Sequence, residues 1–205
     1  MKILGLTGGI GMGKSTAARM LRRMGLPVHD ADRAVHRALA PGGAAVAAVA
    51  TAFPGVARAG GIDRAALGKR VFGDAAALRR LEAILHPQVA ASERRFLARM
   101  RSAKRPLVVL DIPLLYETGA ERRCDAVAVV WAPAFLQRAR VLARPGMTAA
   151  RLAFIRSQQV SEPVRRRRAD FLVPSGLGRA VTWRGLRRVV RTMRGACARA
   201  ARTAD

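Results

Sequence analysis

Short apolar runs alternate along this chain with longer stretches in which apolar residues recur at helical spacing. Residues 2–7 form such a run, stop at glycines, and predict a buried strand. From 14 to 24 the apolar positions Ala17, Ala18, Met20, Leu21 and Met24 share a helical face, and Gly25 ends the pattern. Residues 26–30 (LPVHD) predict a second short strand, and 31–40 a helix closed by Pro41-Gly42-Gly43. The alanine-rich stretch 44–53 predicts a helix ended by Pro54-Gly55. Asp63 and Asp74 are suited to cap helices over 64–72 and 75–85, the latter halting near His86-Pro87 and followed by an amphipathic helix over 87–101. Residues 106–111 (PLVVLD), 125–131 (DAVAVVW) and 171–173 (FLV) predict three more strands. Arginine-bearing helices are expected over 133–144 and 148–159, and a basic one over 177–201.

Buried strands alternating with helices predict an α/β fold with a mostly parallel sheet flanked by helices. The helical stretch from about 44 to 103 breaks that rhythm and predicts a subdomain inserted on the sheet. The length of 205 residues suits one domain carrying such an insertion.

Composition changes this picture little. No apolar run reaches the ~18 residues of a membrane span, and the start of the chain makes a poor signal peptide, so no membrane partner and a cytoplasmic location are expected. Cys124 and Cys197 lack metal-ligand spacing and read as thiols of a reducing compartment. The net charge of +25 admits two readings. One is a nucleic-acid or acidic-membrane binder. The other is a coding bias that fills solvated faces with arginine: only four of 38 basic residues are lysine, and asparagine is absent. The scarcity of aromatics argues against base stacking, and no specific nucleic-acid partner is expected.

The chemistry is concentrated at residues 8–16. Gly8, Gly9, Ile10, Gly11, Met12, Gly13, Lys14 and Ser15 fit G-x-x-x-x-G-K-[ST], placed between a predicted strand and a predicted helix, with Thr16 following. Glycines let the backbone turn and approach a ligand, so that N–H groups converge on an anion at the positive end of a helix. Lys14 adds a mobile charge for the outer phosphates of a nucleoside triphosphate such as ATP, and Ser15 a hydroxyl for Mg²⁺. The rival dinucleotide pattern G-x-G-x-x-G fails, because Lys14 or Thr16 stands where its third glycine belongs. A guanine-reading N-K-x-D motif is excluded by the absence of asparagine.

A small chain with one such loop points to a small-molecule kinase, which needs a carboxylate near the acceptor hydroxyl, a metal site and cations on the moving phosphoryl group. Asp30 and Asp32 leave the second predicted strand; either can act on an acceptor hydroxyl or serve as a helix cap. Asp111, at the end of a strand, suits a carboxylate that orients Mg²⁺ through Ser15 or water, or a plain strand-end turn. Arg140 and Arg144, four apart, suit phosphate oxygens from one helix face, or a solvated basic surface. His86 reads as structural or as a substrate contact, and Leu114 as pocket wall. Glu117 is a candidate to orient an arginine or a loop, and Arg165–Asp170 (RRRRAD) reads as excess solvated arginine.

Together, GLTGGIG-GKST, DAD at 30–32, LEAILHP at 81–87, DIPLLYETG at 111–119, Gln137 with Arg140 and Arg144, Gln159, and ADFLV at 169–173 make the chain resemble the bacterial dephospho-coenzyme A kinases, in that family's order. The resemblance implies a P-loop kinase core (1–43, 104–134 and 169–200), a helical CoA-binding subdomain (about 44–103) and a lid (about 135–168). It implies ATP-dependent phosphorylation of the ribose 3′-hydroxyl of dephospho-CoA, with Asp32 as base, residues 8–16 as phosphate cradle, Lys14, Arg140 and Arg144 as catalytic cations, and Asp32, His86 and Leu114 toward the substrate. Other acceptors, a nucleotide or shikimate, stay open from the residues alone. Oligomeric state is not legible; a monomer is the simplest expectation. Met12, His29 and Ser175 depart from the family's usual residues.

Overall fold

The computed structural model describes the backbone of residues 1–202 and the side chains of residues 1–195. Cys197 therefore lies outside the residues described at side-chain level. The chain forms two compact units, one of Met1–His29 with Met100–Asp205 and one of Asp30–Arg99.

The first unit is built on a five-stranded sheet in the order β2-β5-β1-β6-β7. Its strands are β1 (Lys2–Thr7), β2 (Val28–Asp30), β5 (Leu107–Asp111), β6 (Ala126–Trp131) and β7 (Phe171–Pro174). β1 pairs in parallel with β5 and β6, and β6 in parallel with β7. β5 is buried along its whole length and β1 nearly so, which is why both read as unbroken apolar runs instead of alternating ones. Helices α1 (Lys14–Arg23) and α9 (Arg179–Arg202) bury their apolar stripes on this sheet, placing Ala17, Leu21, Leu186 and Val189 beside Leu4, Leu6, Val109 and Val130. The register sets Leu6 beside Asp111 on one neighbour and Ala128 on the other. The chain after β1 thus emerges level with the carboxylate that ends β5.

The second unit contains α2 (Ala31–Leu39), α3 (Val46–Ala52), a small hairpin of β3 (Ala57–Arg58) and β4 (Gly61–Ile62), α4 (Arg64–Val71) and most of α5 (Ala75–Ser102). Its core packs Leu39, Val49, Phe53, Val56, Ile62, Leu67, Leu81 and Leu85. Asp30, Asp63 and Asp74 each accept backbone N–H bonds at a helix start, as N-cap carboxylates do.

The expected halt at His86-Pro87 is corrected: α5 runs through Pro87 for 28 residues. Proline inside a helix costs about 3 kcal/mol or more. Here Leu81 and Leu85 are buried before it and Phe96 and Leu97 after it, at continuing helical spacing, so packing on both sides outweighs the local penalty. The hairpin was not legible either. Its two-residue turn, Ala59-Gly60, has positive φ at both positions, the geometry usually signalled by asparagine or aspartate before glycine. Two further elements are added by the structure: the 3₁₀ turn Ala120–Arg123 and the helix α8 (Glu162–Arg167). Among the described residues, no helix is long and apolar enough to cross a membrane.

Candidate active site

The glycine-rich loop leaves β1 at Thr7 and enters α1 at Lys14. Gly13 is the N-cap of α1, with φ of 90°, a backbone region closed to most side chains without strain. No side chain caps this helix and its first turn holds no acid, so its positive end is left for an anion. The Met12 side chain points inward: it is buried, and its sulfur accepts the Ala132 N–H at 3.1 Å. Ser15 is exposed at the start of the helix.

Lys14 Nζ lies 2.8 Å from Asp111 Oδ1, and the two side chains are only 13% and 3% exposed. Such a buried pair adds little net stability, because desolvation offsets the attraction. Its effect is geometric: the ammonium is held beside the loop with a defined direction.

The outer side of the loop is tied to residues far along the chain. Ile10 donates its N–H to Gln159 Oε1 at 3.3 Å, and its carbonyl accepts from Gln137 Nε2 at 2.9 Å. Ser175 Oγ donates to the Met12 carbonyl at 2.6 Å. Arg140, on α6 (Ala134–Leu142), donates to Ser175 Oγ at 3.1 Å and to its carbonyl at 2.9 Å, which sets the guanidinium beside Gly13. The shared helix face expected for Arg140 and Arg144 is not formed. α6 ends at Leu142, and Arg144 follows the Ala143 cap as an exposed residue. Leu114 is half-buried in the turn after β5, where its carbonyl accepts from Thr118.

The RRRR run is not simply solvated. Arg165 is buried, donating to Glu117 Oε1 at 3.3 Å and Glu162 Oε2 at 2.9 Å. Arg166 stacks over Trp131, and Arg168 over Tyr116, each 4.4 Å from the ring centroid. Arg168 also pairs with Glu121 at 2.6 Å. The Tyr116 hydroxyl donates to the Arg168 carbonyl, and burial pushes its pKa up to about 12. Burial also raises the Glu162 pKa, with Arg165 acting in the opposite direction. Glu117 orients both an arginine and a loop, since the same oxygen that takes Arg165 accepts the Val160 N–H at 2.7 Å. The sequence placed Glu117 in this role; that Arg165 is its partner was hidden by three neighbouring arginines.

A cavity of about 490 Å³ opens beside this cluster, lined by Gln137, Arg156, Gln159, Glu162 and Arg165. Gln137, Gln159 and Ser175 thus emerge as supports of the loop. In the sequence Gln137 and Gln159 stand only as parts of a family motif and Ser175 as a departure from it, which says nothing about what they touch.

In the second unit, Asp30 is the N-cap of α2, accepting from the Arg33 N–H at 3.0 Å. Asp32 is exposed in the first turn of the same helix, where the helix end favours its negative charge. His86 is exposed in the middle of α5, whereas His29 is buried in β2.

The donor set fits a Mg²⁺ ion carried by a nucleotide. Such an ion keeps its waters and takes one or two protein oxygens in addition to phosphate. The hydroxyl of Ser15, next in sequence to Lys14, and the Asp111 carboxylate paired with Lys14 supply that much, and no cluster of three or more acidic, histidine or cysteine side chains suited to a metal occurs among the described residues.

A family profile described as dephospho-CoA kinase matches residues 2–176. A dephospho-CoA kinase of Paramagnetospirillum magneticum is 68% identical over 166 residues, 81% of this chain and 78% of the relative. A solved structure from Thermus thermophilus is 34% identical with a TM-score of 0.80, covering 93% of this chain and 96% of that one. A dephospho-CoA kinase structure from Campylobacter jejuni, at 20% identity and a TM-score of 0.63, covers 94% and 97% and shares the fold.

Proposed function

The chain belongs to the dephospho-CoA kinase family, and we propose how its residues divide the work of that enzyme. The reaction is transfer of the γ-phosphoryl group of ATP to the ribose 3′-hydroxyl of dephospho-CoA, giving CoA and ADP. The bond from the 3′-oxygen to phosphorus forms, the bond from phosphorus to the bridging oxygen of ADP breaks, and the hydroxyl proton leaves to a base.

Residues 8–16 hold the triphosphate through backbone N–H groups and the positive end of α1. Lys14, held by Asp111, neutralises charge on the outer phosphates. Ser15, with Asp111 through water, would hold Mg²⁺, whose chemistry is to offset charge on the phosphate oxygens. Asp32 accepts the 3′-hydroxyl proton; its assignment rests on the family motif and on its place two residues after β2. Arg140 meets the transferring group from beside Gly13, with Arg144 following on the segment after α6. The segment of about 135–168 acts as a lid that excludes water. The helical segment of about 44–103 receives the CoA portion, with His86, and Leu114 from the β5 turn, toward the substrate. We take the enzyme to work as a cytoplasmic monomer on this small acceptor, with no specific nucleic acid and no membrane.

The observation that carries this reading is the Lys14–Asp111 pair poised beside an uncapped helix start, in a chain matched by the family over residues 2–176. The test is ADP release measured with Mg²⁺-ATP, with dephospho-CoA, with nucleoside monophosphates, with shikimate, and with no acceptor. Turnover is expected with dephospho-CoA alone; turnover with another acceptor while dephospho-CoA is inert would sink the reading.

A further inference from the structure

We propose that Arg165, gripped by Glu117, is a positioning residue of the phosphotransfer site: a buried brace that sets the glycine-rich loop at Gly9 and Ile10 for ATP. The proposal rests on the reading of that loop as the ATP phosphate cradle.

A carboxylate from a distant segment, Glu117, and one from its own helix, Glu162, meet this guanidinium. Glu117 comes from the turn after β5, Glu162 and Arg165 from α8, and Val160 from the link before α8. Nη1 of Arg165 lies 3.0 Å from the point a β-carbon on Gly9 would occupy. The same point is 3.5 Å from both Gln137 Nε2 and Gln159 Oε1, so the guanidinium and two amides occupy the space that a side chain at Gly9 would need. The link from brace to loop is short. Glu117 fixes the Val160 N–H, and the residue before it, Gln159, carries the oxygen that takes the Ile10 N–H. Gln137 holds the other side of the same residue through the Ile10 carbonyl.

Stability is a poor reason for this arrangement. A fully buried guanidinium between carboxylates costs about as much desolvation as it returns in attraction, and apolar replacements of such clusters are commonly as stable. Its planar fork does supply direction: one nitrogen is spent on each carboxylate, which leaves the plane of the group fixed against the loop. Loss of that direction lets the loop drift, and a phosphate cradle that must be ordered on binding holds ATP more weakly than a preorganised one.

The test uses Arg165→Lys, Arg165→Met, and the double variant Glu117→Gln with Arg165→Met. The double variant removes both charges while the glutamine oxygen can still take the Val160 N–H, so it keeps the test alive if Arg165→Met does not fold. Thermal unfolding confirms folded protein. ATP dissociation constants come from calorimetry with a non-hydrolysable ATP, and KM and kcat from ADP release. The double variant is expected to weaken ATP binding and raise the ATP KM about tenfold, with the dephospho-CoA KM within about twofold of the parent. Arg165→Lys is expected to fall between parent and double variant. A merely structural role would instead lower kcat through lost active protein and leave both KM values alone; that result, or ATP binding within about twofold of the parent in every folded variant, overturns the brace. Parent protein that binds ATP but never phosphorylates dephospho-CoA would count against the proposed reaction, while the ATP titrations still decide the brace.

Discussion

The two compact units hold their candidate residues by different means. In the first, side chains tie the glycine-rich loop to residues far along the chain: Lys14 to Asp111, Ile10 to Gln137 and Gln159, Met12 to Ser175. In the second, the polar contacts at helix starts are local, carboxylates capping N–H groups two or three residues on, and Asp32 and His86 stand exposed on helix surfaces. The difference teaches that preorganisation is uneven. The half assigned to ATP phosphates has its glycine-rich loop held on several sides by polar ties to distant residues. The half assigned to the acceptor rests on an apolar core and helix caps, and offers its groups on rigid but open surfaces.

Four experiments sharpen or break that contrast. Asp32→Asn is expected to lower kcat about 10³-fold by removing the base, with ATP affinity unchanged because the residue belongs to the open half. Near-normal turnover would strike Asp32 from the chemistry. Lys14→Met is expected to reduce kcat/KM for ATP about 10²-fold with dephospho-CoA as acceptor, since the cation acts from within the preorganised half; no loss would refute that assignment. Arg140→Ala removes a guanidinium that also ties down Ser175, and a drop of about tenfold in kcat is expected, detectable in single-turnover assays.

The smallest effect is expected from Asp74→Ala. It should lower the melting temperature by a few degrees and leave turnover unchanged, because the cap of α5 is local to the second unit. Backbone N–H bonds hold Asp63 and Asp74 below the ordinary carboxylate value of 3.8, chiefly from Ala66 and Ala77 respectively. The folded state therefore binds fewer protons at these sites than the unfolded chain. Their contribution is complete above about the ordinary value and is lost as pH falls through the depressed ones. Melting curves of the parent and the Asp74→Ala variant should approach one another below that range; a gap that persists there would remove the cap explanation.

Much of the fold could be read directly. β1 appears with the bounds its apolar run predicts, and Gly25, Asp63 and Asp74 mark helix ends where expected. The glycine-rich loop between β1 and α1 was legible because its signal is local: glycines, a lysine and a hydroxyl stand adjacent in the chain. The misreadings share one cause. Pro87 signals a break, and a helix continues because apolar residues on both sides of it are buried. Arg165 looks like its three neighbours, and it is buried because Glu117, 48 positions earlier, meets it.

By itself, then, the sequence determined the alternation of strands and helices, the glycine-rich loop that joins the first of each and the family to which the chain belongs, since each is carried by short-range spacing or by motifs in order. Only the tertiary structure decided which of many arginines is buried, which glutamines hold Ile10, and that Asp111 faces Lys14. Those outcomes depend on contacts between residues far apart in the chain, where burial and charge are settled by what the fold brings alongside and not by the neighbours in sequence.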